Sequence, residues 1–525
     1  FKAITEARFD SRRGFYGTVG AACVIKNCSI IKDVKFGDCV YVKGANKLKN
    51  LTINSSKDEP SQIGEGVELV NGIVGFGCHI FYGCKAVRFI LGNNSNLKYG
   101  ARLIHSFLGD NSTVSCCEIL SSLIFPSHEQ HHNNSFLTAA IVKGQSNLAA
   151  GATVGSNHNS RSNDGEIEAG RGFWPGLCTT LKHSSRFASF TLLTKGDYPA
   201  ELNVRLPFCL LNDDRTNGRL TVMPAYWWMY NMYALARNPQ KFRARDKRKT
   251  CTQKMEIDPL APDTVEEIFQ ALRLLEIWTA KARLRTAGRG PDELEDEALA
   301  RLGRELLTGA EERTAGLEVL GENMECSQRK VVILKARQAH RAYREMLHYY
   351  AVKNLLDYLD SQPAADLSAM VRTLSGPRQR QWINVGGQLI SAPDLETLFE
   401  RIKSGELNSW DAIHNAYEEL WTVYPRAKQE HAYASLLDLL AGKELTPALW
   451  QDALAEAARI AEYIRDQVYI SRNKDYVNPF RQATFANAEE MRAVIGTIDD
   501  NSFVKQTRED TKAFLRRIEA ARARE

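Results

Sequence analysis

The chain has 525 residues, 44% hydrophobic and 25% charged, with 68 Lys and Arg against 63 Asp and Glu and a formal net charge of +5. That near-average balance excludes a highly charged nucleic-acid tail and an acidic disordered chain, and the length suffices for two to four domains at about 150 residues each. No run of about 18 apolar residues occurs, so no membrane span is expected.

The sequence begins at Phe1, which is read as a truncated start that leaves a targeting segment open. Eleven Cys, nine of them before residue 210 and none in a CxxC pair, fit reduced thiols in a cytoplasmic protein better than a secreted disulfide framework. Residues 1–225 hold 42 charged residues (24 basic, 18 acidic) and 23 of the 35 Gly; residues 226–525 hold 89 charged residues (44 basic, 45 acidic) and 12 Gly. The first part reads as strands and turns, the second as amphipathic helices.

An internal repeat organises the first part. Val24, Ile30, Phe36, Val42 and Leu48 are six apart. After an interruption at residues 54–62, Ile63, Ile80, Leu97 and Val114 are 17 apart, as are Leu69, Ala86, Leu103 and Leu120, and Val74, Leu91, Leu108, Phe125 and Val142. Four positions after these leaders come Val67, Cys84 and Ala101, then Ile73, Ile90 and Phe107, then Cys78, Ser95 and Ser112. Three short strands and three turns per coil, stacked in register, give a triangular parallel solenoid with small and aliphatic columns turned inward. Gly75, Gly92 and Gly109 are expected to give freedom at corners, and Cys28, Cys78 and Cys84 to fill inward slots.

Residues 115–183 break the aliphatic rule and carry five of the eleven His. Ser115-Cys116-Cys117-Glu118 precedes Ser127-His128-Glu129-Gln130-His131-His132-Asn133-Asn134. His128 to His132 matches HExxH, but that zinc motif needs a helix, and a helix rises too little per residue to close a solenoid coil. As a strand in strict 17-residue register, Glu118, Glu129, His131 and His158 would point inward. A one-residue bulge, invited by Pro126 and Asn133-Asn134, would turn them out. In strict register His132 lies between Ser115 and Ala149, beside Cys116. Ile167 and Phe173, 19 after Leu148 and Val154, imply two inserted residues in a corner loop bearing Asn157, His158, Asn159 and Arg161. Trp174 follows as a pocket wall or a packing residue.

Pro224 and the run Tyr226, Trp227, Trp228, Tyr230, Tyr233 mark a junction that caps the open solenoid end. Six basic residues from Lys241 to Lys249 read as a solvated hinge rather than a nucleic-acid site. Asp263 with Glu266 marks a helix start, and Pro291 another. Val331 to Leu359 reads as one long helix, with further helices near 364–375, 393–404, 409–423, 446–471 and 486–522, punctuated by Gly376-Pro377 and Gly386-Gly387. The boundaries are 1–222 for the solenoid, 223–262 for an aromatic and basic linker, and 263–525 for an all-α region with a possible split near 376–392.

The hexad pattern resembles the left-handed parallel β-helix (hexapeptide-repeat) superfamily over about residues 15–195. The motifs around Cys116-Cys117, His128–His132, Gly155–Arg161, Gly172-Phe173-Trp174-Pro175-Gly176 and Met223–Trp227 are similar to an uncharacterised bacterial family joining such a helix to a large helical C-terminal region. The superfamily resemblance implies homotrimers with sites between subunits and a small-molecule substrate. It implies an acyltransferase-like enzyme using acyl-CoA, moving an acyl group to a sugar or a small hydroxyl or amine acceptor. His132, His158, His131 and Glu129 would be catalytic, and Asn157, Asn159, Arg161 and Trp174 would bind substrate. One alternative is a γ-carbonic-anhydrase-like metal enzyme holding zinc or iron on His128, His132, His158 and Cys116. Another is a non-catalytic oligomeric scaffold. No phosphate-loop motif is present, and neither nucleic acid nor a membrane is an expected partner.

Overall fold

The structure, a computed structural model, describes residues 1–9, 17–156, 164–290 and 294–524. The first half is a parallel β-solenoid of about 17 residues per turn, and its columns are backbone-paired coil by coil. Leu48, Leu69, Ala86 and Leu103 stack in one column; Val42, Ile63, Ile80, Leu97 and Val114 in a second; Phe36, Ile53, Val74, Leu91 and Leu108 in the third. All of these side chains are buried. In the lower coils a seven-residue strand serves two walls by bending at a left-handed residue, as at Asn71 (φ 56°) in Glu68–Val74 and Arg88 (φ 51°) in Lys85–Leu91.

The structure corrects four details of the repeat. Val42 pairs with Ile25 and Leu48 with Ile31, so Ile25 and Ile31 rather than Val24 and Ile30 continue the columns, and all four are exposed in this first coil. Ile73 and Ile90, expected inward, are 44% and 43% exposed; with Leu123 they form an outward aliphatic stripe on one wall. The corner glycines answer to close approach rather than to backbone freedom: a Cβ on Gly92 would meet the backbone nitrogen of Asp110 at 2.5 Å. The insertion is ten residues, not two, since Ala140 pairs with Ile167 and Val154 with Leu181, each 27 residues on.

The top of the solenoid is closed by Leu210–Asp214 pairing antiparallel with Arg219–Met223. Val331–Ile333 then pairs parallel with Arg219–Met223, so the predicted helix from Val331 starts only at Ala336 (Ala336–Ser361) and its first residues are a strand that seals the end. Trp227 and Trp228 are buried here, with Trp227 against Phe190 and Trp174. The aromatic run is therefore a cap.

From Pro262 onward the described residues form ten α-helices. Pro262–Thr286 begins with Pro at its first position, and the Ala261 N–H donates to the Thr264 hydroxyl at 3.1 Å, in place of the expected Asp263–Glu266 cap. Pro291 lies outside the described residues; the next helix is Asp296–Thr308. The region is not wholly helical: Trp382–Val385 and Gln388–Ser391 form a hairpin turning on Gly386 and Gly387, both at positive φ. Helix Trp410–Leu439 runs through Pro425 instead of stopping near 423, and the last predicted helix divides at Gly496 into Ala488–Ile495 and Ser502–Arg522. A short helix that the sequence did not suggest, Lys2–Arg8, lies against the helical half through Phe1 on Trp410 (5.7 Å) and Arg8 with Asp411 (2.5 Å).

Candidate functional site

The His-rich coil is built by a slip in register. Ile119 pairs with Leu103, Ile124 with Leu108 and Gln130 with Val114, each 16 residues on instead of 17. The next pairs, Leu137 with Ile119 and Val142 with Ile124, are 18 apart. One residue is thus dropped at the Cys116–Cys117 corner and one regained at the Asn133–Asn134 corner, where Cys116 and Asn134 take left-handed φ of 56° and 60°. Leu120 and Phe125 are displaced from the columns by Ile119 and Ile124. The outward turn of the polar residues is real, but it begins at Cys116, not at Pro126. Glu129–Gln130 is a strand, as expected.

A slip of one exchanges the two faces of a strand. His128 and Gln130 point inward and are fully buried, while the side chains of Glu118, Glu129 and His131 keep 28%, 13% and 38% of their exposure. Inside, His128 Nδ1 lies 2.8 Å from Ser146 Oγ and Nε2 lies 3.1 Å from Gln130 Oε1; Gln130 Nε2 donates to Ser135 Oγ at 3.1 Å. Burial pushes the His128 imidazole down to about 4, so it is neutral at pH 7. It extends a column of short polar side chains, Ser61, Ser95 and Ser112, that bond to the backbone of neighbouring coils. Cys117 is also inside, its thiol on the Gln130 carbonyl at 3.1 Å and pushed up to about 12 by burial.

Outside, Glu129 meets the helix Met232–Arg245, pairing with Lys241 at 3.2 Å and with Arg245. Burial opposes its ionisation, but Lys241 and Arg245 outweigh it and hold the carboxyl below its ordinary range. The basic run is therefore not a solvated hinge. His131 Nδ1 is 4.0 Å from Glu129, and its ring lies 4.4 Å from that of the exposed His132. Burial keeps His131 below its ordinary value, against the pull of Glu129.

His131, His132 and Glu129 are thus brought together, with half-buried Cys116 at the corner one coil below. Because Gln130 pairs with Val114, His131 rather than His132 falls level with Ser115. Asn157, His158, Asn159 and Arg161 lie outside the described residues. Trp174 packs on Trp227 at 5.9 Å and belongs to the cap. His128 is separated from His132 and Cys116 by the solenoid wall, with both ring nitrogens engaged by side chains, so the four residues chosen for a metal are not one set. Among the described residues no group of three His, Cys, Asp or Glu could hold an ion.

Sequence reasoning missed the seam between the halves. Residues 246–263 run along one corner of the solenoid and are tied to it on coil after coil. Glu59 accepts from the N–H groups of Lys249 and Thr250 at 2.7 and 2.9 Å. Arg248 donates to Asp110 at 2.8 Å, both side chains almost fully buried. Arg171, 2% exposed, makes two 2.8 Å bonds to Asp263 and further bonds to the Gln145 side chain and the Asp258 carbonyl. Ser189 N–H donates to Glu267 at 2.9 Å. The only signal was the recurrence of a polar residue at the corner: Asn93, Asp110, Gln145, Arg171, Ser189.

The class defined by this architecture is a β-solenoid protein with a helical region strapped along one corner and closed over its end. Residues 1–278 match the model of a domain of unknown function, DUF4954, and the chain belongs to that family. A Treponema pallidum (strain Nichols) protein described as "Uncharacterized protein" is 50% identical over 511 residues, which is 97% of this chain and 69% of that protein. Among solved structures, the UDP-N-acetylglucosamine acyltransferase of Francisella novicida aligns with 61% of this chain and 96% of its own, at 10% identity and a TM-score of 0.24.

Proposed function

We propose that the protein is a transferase of the hexapeptide-repeat type that moves an acyl group from a thioester to a hydroxyl or amine of a sugar or other small acceptor. The observation that carries this reading is the outward pair His131 and His132 beside Glu129. An imidazole kept neutral by partial burial, next to a carboxylate, is a suitable general base. His131 would take the acceptor's proton as its oxygen or nitrogen attacks the thioester carbonyl; the C–S bond breaks and the thiolate takes a proton back from the imidazolium. In this reading Asn157, Asn159 and Arg161 would contact the substrate.

The test is release of free thiol from acetyl-CoA and longer acyl-CoA by the full chain in the presence of sugar-nucleotide and amine acceptors. Thiol release that falls at least 100-fold in both His131→Asn and His132→Asn supports the reading. No release with any acceptor, or release indifferent to both changes, overturns it.

Self-association belongs to the same reading. The outward stripe of Ile73, Ile90 and Leu123 on one solenoid wall offers a dry surface to a second copy, and a trimer would bring a neighbour's wall to the site. A scaffold role is the second reading. It is favoured by the seam, which commits Glu129, Asp110 and Arg171 to holding the helical half in place. Among the described residues no helix is long and apolar enough to cross a membrane.

A further inference from the structure

A cavity of about 510 Å³ lies where the helix Met232–Arg245 meets Ala336–Ser361, Pro447–Val477 and Ser502–Arg522, with no residue of the His-rich coil in its lining. Its size is that of a small-molecule site. We propose that it binds an anionic amphiphile: one apolar body with a single negatively charged head. This site does not depend on the transferase reading.

The polarity of the cavity is graded along one helix. Met232, Ala236, Gln240 and Arg243 recur at the spacing of one helical face, and all four line the cavity. Met232 is buried, and beside it the wall is aromatic: Tyr349 packs on Phe514 at 5.4 Å and on Trp228 at 6.4 Å. At the other end Gln240 and Arg243 are exposed, and among the described residues neither side chain has a hydrogen-bond or ion-pair partner. From Met232 to Arg243 is eleven residues, roughly 16 Å along the axis.

The other cations of the lining are already paired. Lys353 donates to Asp258 at 2.8 Å, Arg517 pairs with Asp357 and Asp360 at 2.6 Å each, and Asp510 accepts from Gln506 at 2.8 Å. Asp510, bonded only to the neutral Gln506 amide, keeps its charge, and Arg243 is the one cation of the lining without an ion-pair partner among the described residues, at the end of an apolar trough. A ligand that fits has its apolar body against Trp228, Tyr349 and Phe514 and its anion at Arg243. A carboxylate and a phosphate ester share that chemistry.

Laurate, dodecyl phosphate and dodecyltrimethylammonium, each below its micelle concentration, are titrated into the full chain by calorimetry. Expected is one site for at least one of the two anions and at least tenfold weaker binding of the cation. That anion should bind at least tenfold more weakly to Arg243→Glu, whose side chain is exposed, and to Ala236→Trp, which fills the trough. Which anion binds more tightly distinguishes a carboxylate head from a phosphate head. Absence of binding by both anions, equal binding of the cation, or unchanged binding to Arg243→Glu overturns the proposal.

Discussion

Inside the solenoid, His128 and Gln130 apart, the buried polar side chains of the serine column are short and bond to the backbone of adjacent coils. Ser61 reaches the Gly75 carbonyl at 3.0 Å and Ser95 the Gly109 carbonyl at 3.0 Å. Along the seam and in the helical half they are long, ionisable and bonded to one another: Arg171 with Asp263, Arg248 with Asp110, Lys428 with Glu256 (2.8 Å), His431 with Glu266 (2.9 Å) and His340 with Glu276 (3.1 Å). The solenoid solves burial locally and repeats the solution each coil. The seam solves it by pairing residues far apart in sequence, so removing one partner leaves a buried charge with nothing to neutralise it.

That contrast predicts a ranking of effects. The largest is Arg171→Met, which strips Asp263, Gln145 and the Asp258 carbonyl of their shared donor. It should cost about 3–5 kcal/mol, read as a drop in urea midpoint, and should expose residues 246–263 to protease. A loss below about 1 kcal/mol would mean that the strap is not held by this pair.

The next effects separate the two regions by pH. His128, at about 4 in the fold against an ordinary 6.5, binds its proton more readily once unfolded. The solenoid therefore loses roughly 3 kcal/mol as pH falls from about 6.5 to about 4. His128→Ser, matching Ser112 and Ser146 in its column, should be less stable at pH 7 but lose that acid dependence.

Glu267 behaves in the opposite sense. Burial, then the nearby Asp263, pushes its carboxyl up from an ordinary 4.5 to about 7. The folded state holds that proton more tightly, so stability falls by roughly 3 kcal/mol as pH rises from about 4.5 to about 7. Glu267→Gln should raise the urea midpoint at pH 8 and leave it nearly unchanged at pH 4.5. The same pH slope in both variants would erase the distinction between the regions. The smallest expected effect is Arg102→Ala, which removes the exposed pair with Glu118 on the outer wall; it should change stability by less than about 1 kcal/mol.

The columns 63–80–97–114 and 69–86–103 were legible because aliphatic residues recur at a constant 17 and the interior tolerates nothing else. The slip was not, for a physical reason. Ile119-Leu120 and Ile124-Phe125 are adjacent apolar pairs, so both registers offer an acceptable inward residue and the pattern continues through the wrong one. Only the polar residues reveal the choice, and they read as an anomaly without a sign: Glu129 and His131 face outward, while His128, grouped with them in the sequence, faces the other way. The ten-residue insertion was hidden because Ile167 and Phe173 happen to fall near the old spacing. The seam left almost no trace, since Arg171 and Asp263 are 92 positions apart and no periodicity links them.

The whole site rests on the one-residue slip, which sends His128 in and His131 and His132 out. The direct test is brief carbethoxylation of the native full chain with diethyl pyrocarbonate at pH 7, followed by peptide mass spectrometry. His131 and His132 should be modified early and His128 only on unfolding. Early modification of His128 with protection of His131 would contradict the register and with it the proposed base.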